Sequence, residues 1–392
     1  MRQQQEELAR LAAIVEFSED AIIGVTLDGT ITSWNSAAAR LYGYTSSETV
    51  GRSKAMLVPQ GMPNDLPDLL DRVARGEHVE GYEARRQAKD GRILDTSQTI
   101  SPVVDSHGVV IGASVIARDV TELRRLQEER DRLFSELAAE FQRAAEVQAQ
   151  MLPHAAPEVT GYEFAGICAP ARQVGGDFFD WTVEDNLVRL SLGDVMGKGM
   201  AAALQTATVR AALRAVTNHS VSDVVETVNR ALSPDLIRTD SFVTLFHAAL
   251  APETGQLTYI DAGHGMAFIQ RQNGTVEPLR QHALPLGILV DAEYPSGTTT
   301  LEPGDTLVIY SDGLPDARPD LPLDIVGVAE QIGELPDAQA KLEQMVRLVS
   351  DIQSRPDDLT LVVVRRREHA VAAGKSAGRA VSALIPMGSV GR

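Results

Sequence analysis

Leu187-Val188-Arg189-Leu190-Ser191-Leu192-Gly193-Asp194-Val195-Met196-Gly197-Lys198-Gly199 decides the reading of this chain. Up to Asp194 the stretch alternates as a strand does, and it delivers a carboxylate at its end. A glycine-bounded turn follows, then a long helix from Met200 to about Val216. Upstream, Val174-Gly175-Gly176-Asp177-Phe178-Phe179-Asp180 sets Asp177 beside two glycines, which permit close backbone approach and unusual dihedrals. Downstream, Thr306-Leu307-Val308-Ile309-Tyr310-Ser311-Asp312-Gly313 is another strand that ends in an acidic turn. Arg355-Pro356-Asp357-Asp358-Leu359-Thr360 puts a carboxylate pair just before a buried strand. One Asp-Gly turn is only a turn. Four strand-edge carboxylates without a His or Cys cluster suggest hard, oxygen-liking cations, magnesium or manganese rather than zinc. Two such ions ~3.5–4 Å apart can lower the pKa of a shared water and hold a phosphate oxygen for in-line attack.

Composition narrows the class. At roughly 100–200 residues per domain, 392 residues make two or three domains. The net charge of −18 argues against a nucleic-acid surface and against anionic membranes. Cys168, the single cysteine, excludes an intramolecular disulfide and a cysteine zinc cage. It sits in an apolar, strand-like run and reads as core rather than nucleophile. No apolar run approaches the ~18 residues of a membrane span, and Met1 to Arg10 lacks a signal-peptide core. A cytoplasmic protein is expected. Residues 193–199 lack the spacing and terminal Ser or Thr of a Walker A loop, and no Gly-x-Ser-x-Gly elbow occurs.

Five segments differ in texture: an N-terminal helix over 1–15, a strand-and-turn region over 16–121, a polar helix over 122–152, an α/β region over 153–367, and a tail over 368–392. The tail is rich in Ala, Gly and Ser without apolar periodicity, which predicts disorder. In the second segment, Asp28-Gly29 separates two β-rich runs and predicts a hairpin. Asn35 caps a helix over Ser36–Tyr42. Lys89-Asp90-Gly91-Arg92 and Asp105-Ser106-His107-Gly108 separate strands over Val79–Ala88, Ile93–Val103 and Val109–Ala117, around a helical middle from Met56 to Gly76. With Trp34-Asn35, Leu41-Tyr42-Gly43-Tyr44, Val50-Gly51 and Ala117-Arg118-Asp119-Val120-Thr121 in order, Phe17 to Thr121 resembles a PAS domain. Its middle contains no histidine to ligate haem and no cysteine for photoactive flavin chemistry, so neither cofactor is expected. His78 and His107 read as solvated, Trp34 and Tyr44 as core, and the PAS ligand stays open.

In the third segment Leu123, Arg130, Leu137, Ala144 and Met151 recur every seven residues. Leu126, Leu133, Glu140 and Val147 form a second series three positions on. This is a coiled-coil seam with faults at Arg130 and Glu140, and it predicts a homodimer through the PAS domain and linker. The plainer reading is a single helix packed on its own domain.

Ala145 to Arg365 resembles the SpoIIE/RsbU-type branch of the metal-dependent protein phosphatase 2C family. The motifs, in order, are Val147-Gln148-Ala149-Gln150-Met151-Leu152-Pro153, Gly175-Gly176-Asp177, Gly193-Asp194-Val195, Phe242-Val243-Thr244-Leu245-Phe246, Asp261-Ala262-Gly263-His264, Pro285-Leu286-Gly287, Pro303-Gly304-Asp305, Ser311-Asp312-Gly313 and Asp357-Asp358. The resemblance implies an α+β protein whose C-terminal part is an α/β/β/α sandwich with two antiparallel sheets. It also implies a centre of two Mn2+ or Mg2+ ions. Asp177, Asp194, Asp312 and Asp357 would hold the metals, with the Val195 backbone carbonyl and with Asp194 as the bridge and catalytic residue. Asp358, Lys198 and His264 would stand behind them. The implied substrate is phosphoserine or phosphothreonine on a STAS-domain antagonist of an anti-sigma factor. The helix entering this domain, Glu140 to Leu152, would act as its switch. Met196 stands where a serine is common, and Gly265-Met266 follows His264 where a proline pair is frequent. The resulting expectation is a sensor-regulated serine/threonine phosphatase. The alternatives are a non-catalytic scaffold that binds a STAS partner, and a small-molecule phosphomonoesterase.

Overall fold

The structure is a computed structural model, and it describes residues 2–216, 219–280 and 282–368. The tail expected to be disordered lies, from residue 369 onward, outside the described residues. The chain divides into two compact units, residues 1–136 and 137–392.

The first unit begins with α1 (Arg2–Glu16). It continues through β1 (Ala21–Thr26), β2 (Ile31–Trp34), α2 (Ser36–Tyr42), α3 (Ser46–Thr49), a 3-10 turn (Lys54–Leu57), α4 (Leu66–Ala74), β3 (Val79–Gln87), β4 (Ile93–Val104) and β5 (Val110–Asp119). The strands form one antiparallel sheet in the order β2-β1-β5-β4-β3. Local chemistry explains the elements. Gly29, at φ 87°, turns β1 into β2. The Asn35 side chain accepts from Ala38 N at 2.9 Å and from Ile22 N at 3.0 Å, which starts α2 and ties it to the sheet. Gly43, at φ 77°, ends that helix. Ile23, Trp34, Tyr42, Leu57, Leu70, Val73, Ile100 and Val115 close one core. Each large apolar side chain so buried contributes roughly 1.5–3 kcal/mol. The expected helical middle is helical only in part. Residues 58–65 are irregular, because Pro59 and Pro63 interrupt a helix there.

The long helix α5 (Thr121–Met151) runs across the 136/137 division, and none of its residues is buried.

The second unit contains two sheets. One joins β7 (Asp177–Glu184), β8 (Leu187–Val195), β9 (Val243–Ala251), β10 (Gln256–Ala262), β13 (His282–Ala283) and β14 (Gly297–Thr300). The other joins β6 (Tyr162–Ala169), β11 (Ala267–Gln270), β12 (Val276–Pro278), β15 (Thr306–Tyr310) and β16 (Leu359–Arg366). Phe164, Trp181, Leu190, Leu192, Phe246, Leu307, Ile309 and Val362 pack between the sheets. The helices α6 (Met200–Ala215) and α7 (Val221–Arg238) cover the outer face of the first sheet through Val209, Leu213, Val224 and Val228. The helices α8 (Gly313–Ala317), α9 (Ile325–Ile332) and α10 (Ala338–Leu348) cover the second through Leu314, Val328, Leu342 and Met345. The layers are therefore α/β/β/α. β16 is apolar without alternation because both its faces are buried: Val362 and Val364 face the other sheet, and Leu361 and Val363 face the helices. The expectation of wholly antiparallel sheets needs one correction. β13 pairs parallel with β10, because the chain visits the second sheet before it returns.

Candidate metal centre

The carboxylates singled out in the sequence meet at one end of the two sheets of the second unit. Asp177 begins β7, and the register places it directly opposite Asp194 on β8. The glycines before it are steric requirements. A Cβ on Gly176 would stand 2.6 Å from the Val195 carbonyl oxygen, and one on Gly175 would stand 2.3 Å from Asp358 Oδ2. The second sheet contributes through β15 and β16. Asp312 follows β15 and starts α8, and Asp316 lies one turn on. Ser311 N donates to Thr360 O at 2.9 Å, and Thr360 N donates to Ser311 Oγ at 2.9 Å. These bonds fix the two strand ends side by side. Gly313 packs so tightly on the Asp358 carbonyl that a Cβ there would lie 1.8 Å from it. Oxygens of Asp312, Asp316 and Asp357 all fall within 4.8 Å of one another.

Asp358 points elsewhere. Its carboxylate accepts from Ala171 N and Gly176 N, each at 2.7 Å. It therefore anchors the loop that carries Asp177. On the other side of that loop, Gln148 of α5 exchanges two hydrogen bonds with the backbone of Gly175.

So much negative charge in one place resists ionisation. Asp177 is 3% exposed, and its Oδ2 has no hydrogen-bond partner. Burial, then Asp194 and Asp358, hold its pKa well above the usual carboxylate range. Burial, followed by Asp312, Asp357 and Asp358, pushes Asp194 up to about 6. Asp312 is raised by burial and by Asp357. Lys198 Nζ lies 2.8 Å from Asp357 Oδ2 and 2.6 Å from the Pro356 carbonyl, and the bond to Asp357 raises its pKa. Among the described residues it is the one cation in ion-pair contact with these carboxylates. His264 is buried and makes no hydrogen bond to them. Its Nε2 is unpartnered, and burial pushes the ring down to about 4, so it is neutral.

The donor set is all oxygen and strongly anionic. It suits hard divalent cations, and the orphaned Asp177 Oδ2 is an acceptor waiting for one. The structure brings together Asp177, Asp194, Asp312 and Asp357, with the Val195 carbonyl beside them, and His264 makes no hydrogen bond to any of the four. Asp316 and Gln148 had not been singled out as site residues. The i, i+4 spacing from Asp312 would have pointed to Asp316. Gln148 lies within the Val147–Pro153 motif and the expected switch helix, but nothing in that motif says its amide will meet Gly175.

The PAS fold family matches residues 9–120, and the family Stage II sporulation protein E (SpoIIE) matches residues 184–367. Phosphoserine phosphatase RsbU of Bacillus subtilis is 29% identical over 277 residues, covering 66% of this chain and 77% of that protein. Phosphoserine phosphatase RsbP of the same organism is 24% identical over 151 residues, 37% of each chain. The SiaA-PP2C domain of Pseudomonas aeruginosa superposes with a TM-score of 0.49 at 18% identity, covering 59% of this chain and 98% of that one.

Proposed function

Because this chain is a PAS domain followed by a SpoIIE-type phosphatase domain of the protein phosphatase 2C class, we propose that it is a sensor-regulated protein phosphatase acting on phosphoserine or phosphothreonine. The observation that carries the proposal is the convergence of Asp177, Asp194, Asp312 and Asp357 from four strand ends. Two Mn2+ or Mg2+ ions held there supply Lewis acidity, which lowers the pKa of water and steadies the phosphate oxygens. Asp177, Asp194, Asp312 and Asp357, with the Val195 carbonyl, would hold the ions, and Asp194 would be the carboxylate they share. Asp358 and the two glycines hold the Asp177 loop at the required distance. Lys198 lies at the rim, where its ammonium can attract a phosphate once Asp357 is otherwise engaged.

The relatives named phosphoserine phosphatases support a phosphoprotein substrate. We assign that substrate to the STAS-domain class of anti-sigma antagonists. The working unit is a homodimer joined by the PAS domain (16–121) and the linker (122–152), with catalysis in 153–367. No helix among the described residues is long and apolar enough to cross a membrane, in keeping with action in the cytoplasm.

The test is phosphate release from a phosphoserine STAS protein by the full chain, with and without manganese, beside Asp194→Asn. Manganese-dependent release that the substitution abolishes is the expected result. Stable binding of the partner without release, at any metal concentration, would assign the chain to scaffolding instead.

A further inference from the structure

The sheet that carries β15 and β16 changes character at the end away from the carboxylates. On the face covered by α9 and α10, one row across the strands is apolar: Phe268, Val308, Val363 and Ala165. Two residues along each strand, the register sets Gln270, Thr306, Arg365 and Glu163 side by side. Side chains two apart share a face, so this polar row continues the apolar one. Gln270 and Thr306 are buried.

A lysine closes over the row. Lys341 of α10 is 3% exposed, and its Nζ donates to Gln270 Oε1 at 2.9 Å and to the Gly333 carbonyl at 2.8 Å. Both acceptors are neutral, and the third N–H has no acceptor among the described residues. Burial, then Arg365, pushes this ammonium down to about 8, so near pH 7 most of it stays charged. Arg365 is half-buried, and its side chain makes no hydrogen bond or ion pair among the described residues. The carboxylate opposite it in the ladder, Glu163, accepts instead from Arg367 Nε at 2.9 Å and from Ala338 N at 3.2 Å. Two cations therefore stand together without a carboxylate in ion-pair contact. A side chain that only filled space at position 341 would cost less as methionine.

Both cations face open volume. With Gln270 and Thr306 they line a cleft of about 720 Å³, within the roughly 300–1,000 Å³ of small-molecule sites. Val276, Val326, Ala329 and Leu335 give it an apolar wall. Its acidic members, Glu330, Glu334 and Glu368, are exposed to solvent. Arg271, also in the lining, is already paired with Glu277 and Asp305.

We propose that this cleft binds a small organic monocarboxylate, its oxygens on Lys341 and Arg365 and its hydrocarbon part against the apolar wall. Carboxylate oxygens only accept, and the ammonium and the guanidinium fork only donate. The apolar wall favours an organic body over inorganic phosphate. The three exposed glutamates repel polyanions. The site stands apart from the metal centre, and the inference does not rest on the phosphatase reading. Thr306 begins β15 and Asp312 follows its end, roughly 15–20 Å on at the rise of a strand.

The experiment uses the full-length protein, freed of divalent ions by chelation and desalting. Sodium hexanoate and sodium benzoate are the probes, and hexylamine and sodium phosphate are the competitors at equal ionic strength. Saturation-transfer NMR and isothermal titration read the binding. We expect at least one of the two carboxylates to bind the wild type. Lys341→Met and Arg365→Gln should each raise its dissociation constant at least about tenfold. Neither competitor should displace it. Arg365→Gln leaves the buried lysine and its bonds in place, so it decides the matter even if Lys341→Met fails to fold. Three results would overturn the proposal: no binding of either carboxylate, wild-type affinity in Arg365→Gln, or displacement by hexylamine or phosphate.

Discussion

Gln148 and Gly175 are locked face to face. Gln148 Nε2 donates to the Gly175 carbonyl at 2.8 Å, and Gly175 N donates back to Gln148 Oε1 at 3.1 Å. The side-chain amide in the last turns of α5 thus closes a two-bond ring with backbone two residues before Asp177. The next residue, Gly176, is held from the other direction by Asp358. The loop that presents Asp177 is therefore suspended between a helix and the start of β16. A shift of α5 by even a fraction of a turn breaks both Gln148 bonds together, because one planar amide makes both.

Replacing Gln148 by leucine keeps the volume and removes both bonds. At about 1 kcal/mol each, their loss corresponds to roughly a 30-fold effect. We expect it in manganese affinity or in turnover, with the domain still folded and its melting temperature lowered by no more than about 8 °C. Gln148→Glu keeps the acceptor for Gly175 N but faces the Gly175 carbonyl with a second oxygen, and should fall at or below the leucine variant. Wild-type kinetics in Gln148→Leu would uncouple α5 from the site.

Gly313→Ala tests the steric argument. No rotamer relieves a Cβ placed 1.8 Å from a backbone carbonyl, so β16 or α8 must move. Because Asp357 and Asp312 sit on those two elements, the displacement separates the carboxylates. We expect a loss of about 2 kcal/mol or more in stability, the usual range for overpacking, and phosphatase activity reduced at least tenfold. A variant with native stability and activity would mean that the site tolerates a wider separation than the structure allows.

The sequence was most legible where local chemistry acts alone. Asn35, Gly43 and the Asp-Gly turns mark the bounds of α2 and of the PAS hairpins because a cap or a positive φ needs a specific residue type. The four aspartates were legible for a similar reason: Asp177, Asp194 and Asp312 each stand beside a glycine at one end of a strand, and Asp357 comes just before an apolar one. Contacts between distant segments were not legible. Nothing at positions 54 and 98 says that a lysine in a polar loop and a glutamine in a strand will meet inside a core. The parallel pairing of β13 depends on the route the chain takes through the other sheet. The role of Gly175 and Gly176 was read only in part: the structure assigns them close contact with Asp358 and Val195, and neither has a positive φ.

Asp177→Asn should separate stability from function. The folded pKa of Asp177 is raised above its unfolded value, so near pH 7 its ionised form opposes folding in the absence of a bound cation. An uncharged amide of the same shape relieves that repulsion. With a chelator present, the variant is expected to melt above the wild type, by on the order of 1 kcal/mol or more. With manganese present, the wild type should gain stability and the variant should not. Lower stability of the variant in chelator, or an equal gain with manganese, would remove Asp177 from the ligand set.

The pH dependence of stability carries a signature of Lys54. Burial lowers its folded pKa to about 7, whereas the unfolded lysine keeps its ordinary value near 10.5. Between those limits the unfolded chain holds a proton that the folded chain has lost. The contribution of Lys54 to stability therefore rises as pH increases from about 7 to about 10.5, by a few kcal/mol at most. Below pH 7 the charged side chain is buried and its cost is complete. Asp65, the carboxylate that acts on it, is in spite of burial held below its ordinary value by Arg86 and Tyr82, so it stays ionised across this window. Denaturant unfolding of wild type and Lys54→Met between pH 7 and 10 should give two curves that converge as pH rises. Parallel curves would mean that the lysine is solvated.

The linker predicts an oligomeric state. Along α5, Leu123, Leu126, Leu133, Leu137, Val147 and Met151 are each 40–57% exposed, and together with Ala144 they supply the apolar residues of both seven-residue series. A single chain gains nothing from ordering this stripe, whereas two helices side by side bury it. Arg130 and Glu140 interrupt the seam and weaken it, which leaves the pairing able to respond to a signal. Changing Leu133 and Leu137 to glutamate removes four leucines from a two-chain seam. At roughly 1.5 kcal/mol or more for each buried leucine, the dissociation constant of the dimer rises by on the order of 10⁴-fold. Sedimentation equilibrium of the full chain at micromolar concentration should therefore give a dimer for the wild type and a monomer for the double variant. A wild type that stays monomeric at all concentrations would refute the paired linker, and signalling through α5 would then have to act within one chain.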